Sequence, residues 1–268
     1  MPLFKFKEEA SYDKVILLLS GIYEKYKNKK RDEARGLVRK LYNLIINLPQ
    51  EQFITYFLML LDIIRRFKDQ DEELKLINDA IQKAQKNKMS EELILRLKVE
   101  KIKSKLSYGG VDLKELDILF NEFLDFAYKK KNVILLLSYA TGIYAPLYLA
   151  MKEDEYVVDV LKDTLLTVDE ILGELKPKDV LPFLAETLVL LSEVEYKLGR
   201  IKDSAEHMLW AARAYHESGM IDEALKALKN YIDLCEKMRV SQNNITKVLG
   251  EFYDILDDEL KKYFQDTE

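Results

Sequence analysis

The apolar positions of this chain recur at intervals of three and four residues almost from end to end, the period of one buried face of an α-helix. The pattern is plainest from Asp32 to Leu48. There Ala34, Leu37, Val38, Leu41, Ile45 and Leu48 fall on one side, and Pro49 then stops the helix. The same period runs through Val157, Leu161, Leu165, Val168 and Leu172, and again through Ile245, Val248, Leu249, Phe252, Leu256, Leu260 and Phe264. No stretch shows the sustained two-residue alternation of a half-buried strand.

The polar residues just ahead of these runs place the helix starts. A short side chain with an oxygen accepts a hydrogen bond from the first free backbone N–H groups, which makes Ser90, Asp112, Asp154, Asp179, Asp203, Asp222 and Ser241 candidate caps. Asp112 and Glu115 have the spacing of a reciprocal capping box. Starts then fall near 11, 31, 50, 70, 90, 112, 132, 154, 179, 202, 222 and 241. At a spacing near twenty residues the turns are short, neighbouring helices are forced antiparallel, and hairpins repeat about every forty residues. The predicted fold is all-α: a right-handed α-α superhelix of about 12 antiparallel helices, a single helical-repeat domain over residues 1–268.

Self-similarity supports the repeat. The stretch Leu198, Gly199, Arg200, Ile201, Lys202, Asp203, Ser204 aligns with Ser218, Gly219, Met220, Ile221, Asp222, Glu223, Ala224, twenty residues on. Each reads as a helix end, a glycine turn, an apolar plug, an acidic start and a small residue. Leu188, Leu191, Ser192, Leu198, Gly199, Ile201, Ser204, Met208 and Ala211 then follow the order of large, small and turn positions in tetratricopeptide hairpins, so residues 180–240 resemble that family. The departures are a Leu in place of the leading Trp, Glu195 where an aromatic precedes the turn, a Ser at the second helix's small position, and no closing Pro. The resemblance implies a tetratricopeptide-like solenoid with a groove for a peptide or protein segment.

Composition narrows the classes further. Nine Gly and five Pro are too few for the turns of a sandwich or barrel, and 33% charged residues suit many exposed helix faces. The single Cys235 sits in an apolar helical pattern, which predicts a buried thiol in a reducing, cytoplasmic setting. Asn132 to Met151 carries no charge, but Ser138, Tyr139, Thr141, Tyr144 and Pro146 favour a buried central helix over a membrane span. Gly21, Gly142 and Gly250 lie inside helical patterns and are expected at close helix crossings, and Met208 and Trp210 in the core.

Charge gives the chain a polarity. Residues 1–131 hold 27 Lys and Arg against 21 Asp and Glu, a basic sub-half, whereas residues 132–268 hold 15 against 26, an acidic one. Arg31, Arg35 and Arg39 share one stripe, and Lys98, Lys101 and Lys105 another; together they are candidates for an acidic partner or for phosphates. Tyr144 and Tyr148, one turn apart beside Gly142, are candidate groove residues. Catalysis has little support. His207 and His216 stand nine apart in no His-Glu-x-x-His or paired Glu-x-x-His motif, no phosphate-cradling glycine loop occurs, and Glu186 and Glu193, two turns apart, are an acid–base spacing without further signature. The chain is therefore expected to be a non-enzymatic interaction scaffold or adaptor that needs no metal or cofactor and binds another protein or peptide, an acidic one being a candidate. A nucleic-acid binder using the basic half and a head-to-tail homo-oligomer are the alternatives.

Overall fold

A computed structural model describes residues 3–264 apart from 174 and 175, with side chains from Tyr12 onward. Among these residues there is helix and turn but no strand. The first helices are α1 (Leu3–Lys27), α2 (Arg31–Ile45), α3 (Gln50–Arg66), α4 (Gln70–Lys86), α5 (Glu91–Ser107) and α6 (Leu113–Lys130). A composite rod follows: α7 (Ile134–Tyr139), a π-helical turn (Ala140–Tyr144) and α8 (Ala145–Ala150). Then come α9 (Asp154–Leu172), α10 (Leu181–Lys197), α11 (Ile201–Ser218), α12 (Ile221–Lys237), α13 (Gln242–Leu249) and the short α14 (Asp258–Lys261). From α2 to α13 the rods start within two residues of the predicted positions. The first starts at Leu3 rather than near Ser11, because nothing between them breaks a helix.

Two rods depart from the periodic reading. Pro146 has no N–H to offer the carbonyl of Gly142 and its ring crowds that carbonyl, so the backbone widens into the π turn just before it. No helix among the described residues is long and apolar enough to cross a membrane. The last predicted rod stops at Leu249, passes through a 3₁₀ turn (Gly250–Phe252), and restarts where the Asp257 carboxylate accepts from the Leu260 N–H at 3.0 Å. Its apolar stripe is still buried at Ile245, Leu249, Phe252, Leu256 and Leu260, so the period predicted burial correctly and continuity wrongly.

The chain forms two compact units, Met1–Leu119 and Phe120–Glu268. In the first, each helix from α1 to α5 packs on the next, and α3 also meets α1 and α5, which makes a stack of hairpins. Its core runs through Val15, Val38, Leu41, Phe53, Phe57 and Ile77. In the second, α9 to α13 pack in succession around Ala211, Ala212, Leu228, Leu249 and Phe252. The repeat is visible in side-chain bonds between residues 40 to 43 apart: Gln50 with Ser90 (2.7 Å), Tyr26 with Asp69 (2.9 Å), Tyr128 with Glu170 (2.7 Å) and Tyr196 with Lys237 (2.8 Å). This is an all-α helical-repeat protein.

The turns share one geometry. In eight of them a backbone N–H reaches the carbonyl five residues back: Lys30 to Lys25, Asp69 to Ile64, Met89 to Ala84, Gly110 to Lys105, Glu153 to Tyr148, Arg200 to Glu195, Met220 to Tyr215 and Val240 to Cys235. The residue before each donor has a positive φ. Glycine fills that place at 109, 199 and 219, the last two as the sequence suggests, but Lys29, Lys68, Lys88, Lys152 and Arg239 fill the others. The glycines expected at close crossings do something different. A Cβ on Gly142 or Gly250 would meet nothing within 4 Å, and one on Gly21 only ordinary contact with Leu37 at 3.5 Å.

Two outcomes test this fold. Leu41 is fully buried in the first core, so Leu41→Asp should lower the melting temperature sharply; an unchanged melt would refute the facing of α2. Lys88, exposed with φ 52°, should gain about 1 kcal/mol of stability as Lys88→Gly, whereas Gly199→Ala should lose a similar amount, both read by denaturant unfolding.

Candidate binding groove

The predicted arginine stripe exists, and it faces α4. Asp69, 2% exposed at the head of that helix, makes no local cap. Its carboxylate instead accepts from Arg35 at 2.5 and 2.9 Å and from the Tyr26 hydroxyl at 2.9 Å. Arg31 lies 3.5 Å from the same carboxylate and donates to the Lys68 carbonyl at 3.2 Å, clamping the α3–α4 turn. Arg39 reaches the buried Glu72 at 3.3 Å. One helix over, Arg65 of α3 bonds the fully buried Glu73 of α4 at 2.6 Å and pairs with Glu100 of α5 at 2.8 Å, so one guanidinium ties three helices. Phosphate binding at the stripe would have to compete with these carboxylates. Burial raises the Asp69 carboxyl, but the hydrogen bonds from Arg35 and Tyr26 and the charge of Arg31 outweigh it and hold it below its ordinary 3.8.

The lysine stripe has other neighbours. Lys105 bonds Glu115 at 2.6 Å, which takes the Glu115 carboxylate away from the capping box; Asp112 alone caps, accepting from the Lys114 N–H at 3.0 Å. Lys98 is partly buried and already engaged within the chain, and Lys101 makes no salt bridge among the described residues. The two stripes are thus drawn toward different helices.

The candidate groove tyrosines are core residues. Tyr144 is 2% and Tyr148 8% exposed, and their rings stand 4.9 Å apart in a cluster with Phe120 and Tyr156. Tyr144 shares its hydroxyl with Tyr156 at 2.9 Å, and Tyr156 is the exposed edge of the cluster. Trp210, expected inside, is 49% exposed with its ring edge-on to His207. His207 Nδ1 lies 2.6 Å from the fully buried Glu195, which Lys162 also approaches at 2.8 Å. A carboxylate stands where the tetratricopeptide pattern has an aromatic because a lysine and a histidine meet it there. Among the described residues no three His, Cys, Asp or Glu come together as a metal site.

An open groove does occur, within the stretch whose sequence resembles tetratricopeptide hairpins. Helix α11 packs against both α10 and α12. Small residues let α10 and α11 approach closely, since the buried Ser192 hydroxyl donates to the Ser204 carbonyl at 2.7 Å. Ser204 and Met208 of α11, with Leu234 of α12, form a buried floor under a cavity of about 160 Å³. Glu193 and Tyr196 stand exposed on the α10 side, and Asn230, Asp233 and Lys237 on the α12 side. At one end Lys237 closes over Tyr196, its Nζ 2.8 Å from the hydroxyl and 4.5 Å from the ring centre. Helical spacing carries the same faces two turns further: Tyr215 follows Met208, Glu186 precedes Glu193 and Glu223 precedes Asn230. Burial, then Glu186 and Glu223, push the Tyr215 phenol up to about 12.

No protein-family model matches the chain, and no curated protein matches it. Among solved structures it is similar to BtubC (BKLC) from P. vanneervenii, with a TM-score of 0.44 and 11% identity over 85% of this chain and 93% of that one. It is also similar to the nearly identical TPR-like repeats of a candidate kinesin light chain from Podosopora anserina, with a TM-score of 0.42 and 15% identity over 73% of this chain and 100% of that one.

The Asp69 cluster yields a test. Asp69→Asn should cost about 3 kcal/mol at neutral pH, since it leaves three donors around a neutral amide. A lowered carboxyl pKa stabilises the fold above 3.8 and loses that contribution as pH falls through the lower folded value, so the melting temperatures of wild type and variant should converge in acid. Parallel curves throughout would remove Asp69 as an electrostatic anchor.

Proposed function

We propose that the chain is a non-catalytic protein–protein interaction module, a scaffold or adaptor, that holds a peptide or protein segment in the groove between α10 and α12. The observation that carries this reading is the groove itself: a buried floor at Met208 and Leu234, part of the second unit's core, between two exposed polar walls. Such a floor gives a partner's apolar side chain somewhere to leave water, and the walls give its backbone and charges partners. The reading is intracellular, in keeping with a single buried Cys235. Nucleic-acid binding through the basic stripe is the weaker reading, because Arg31, Arg35 and Arg39 already serve Asp69 and Glu72.

Site-directed photocrosslinking tests the proposal. With a photoreactive phenylalanine analogue at Asn230, irradiation in native extract should give reproducible adducts of one or a few proteins. The same analogue at the exposed Asp159 of α9 should not give them. Equal adducts from both positions, or none from Asn230, would rule the groove out as the binding surface.

A further inference from the structure

Two helical turns from the cavity, the same faces of α10, α11 and α12 carry a second feature, which the interaction reading does not use. Tyr215 is 8% exposed as a residue, and its hydroxyl, which makes no hydrogen bond among the described residues, is open to solvent rather than sealed in the core. The groups that act on it electrostatically, Glu186 from α10 and Glu223 from α12, are themselves without a salt bridge or hydrogen bond among the described residues. Glu193 and Asp233, further along the same walls, are also without one. This contrasts with the first unit, where the buried carboxylates Asp69, Glu72, Glu73 and Glu100 all meet an arginine.

The cations on these faces do not balance the groove. Lys226 and Lys237 stand against four carboxylates, and Lys237 is already engaged with Tyr196. We propose that the groove is built for a positively charged protein segment, with a lysine or arginine of that segment seated between Glu186 and Glu223 against the Tyr215 hydroxyl. This rests on the interaction reading above and gives the partner its chemistry.

A guanidinium or ammonium suits the place because it supplies several donors at once, two for the carboxylates and one for the phenolic oxygen. Two carboxylates and a phenol are a poor set for a structural metal, and no larger acidic or histidine cluster is present among the described residues. A small amine would occupy only one end. From Glu186 to Tyr196 the wall runs ten residues of helix, roughly 15 Å at 1.5 Å per residue, the reach of about five extended residues. The apolar floor at Met208 would take a side chain two positions along from the seated cation.

Fluorescence anisotropy of the whole chain with two labelled peptides tests this, one alternating lysine and alanine and the other glutamate and alanine, at low and at physiological salt. The basic peptide should bind about tenfold more tightly than the acidic one. Glu186→Gln with Glu223→Gln should weaken it about tenfold, and Tyr215→Phe about threefold. Asp159→Asn with Asp163→Asn, on exposed positions of α9, should change it little. If both charge-removing pairs weaken binding equally, the attraction is diffuse and the seat between Glu186 and Glu223 is wrong. Preference for the acidic peptide, or binding of neither, also overturns it. In either case adducts from Asn230 would keep the groove as an interaction surface with a partner of other chemistry, whereas their absence would remove both readings.

Discussion

A helix that buries only one stripe is not stable alone in water, and every helix of this chain depends on a neighbour to cover what its own turn of sequence leaves apolar. With helices near seventeen residues and turns of a few, the covering helix is the next one along the chain, and a second comes from the next hairpin. That dependence explains why the bonds that fix one hairpin on the next recur near forty residues. It also explains why charged groups are taken into the stack. Arg65 with Glu73 and Glu100, and Arg35 with Asp69, set the register that apolar contact leaves loose. Such pairs add little net stability over well-packed apolar residues, but removing one partner strands a buried charge.

The two units solve the placement of carboxylates differently. In the first, acidic residues sit at the head of α4 and are met by arginines from α2 and α3. In the second, Glu195 is met by Lys162 and His207 inside the structure, while Glu186 and Glu193 of α10 and Glu223 and Asp233 of α12 make no salt bridge among the described residues. Pairing inward and leaving charge outward are opposite uses of the same residue type. The outward set includes Glu193 and Asp233, which line the cavity floored by Met208 and Leu234.

Much of the helix order was legible, because periodicity, Pro49 and the polar starts act within a few residues of where they stand. What was not legible acts at a distance. Arg35 and Asp69 are 34 residues apart, so a stripe of arginines looked free when it faced a buried carboxylate. Tyr144 and Tyr148 looked like groove residues beside Gly142, but rings from α6 and α9 cover them. Glu186 and Glu193 were noticeable only as a spacing; that they wall a groove depends on Met208 and Tyr215 of the following helix. The break at Asp257 was missed because an apolar stripe survives a change of helix when both pieces bury the same face.

The lysines in the left-handed turn positions carry one further consequence. Each lies just past the carboxyl end of a helix, where unpaired carbonyls concentrate partial negative charge, so its ammonium interacts favourably with the helix dipole while its backbone is strained. The conformational penalty is fixed by sterics, whereas the electrostatic return is screened by salt. These turns are therefore closest to balanced in dilute buffer and progressively less so as ionic strength rises, which makes the hairpin joints of this stack sensitive to the medium even where its apolar core is not.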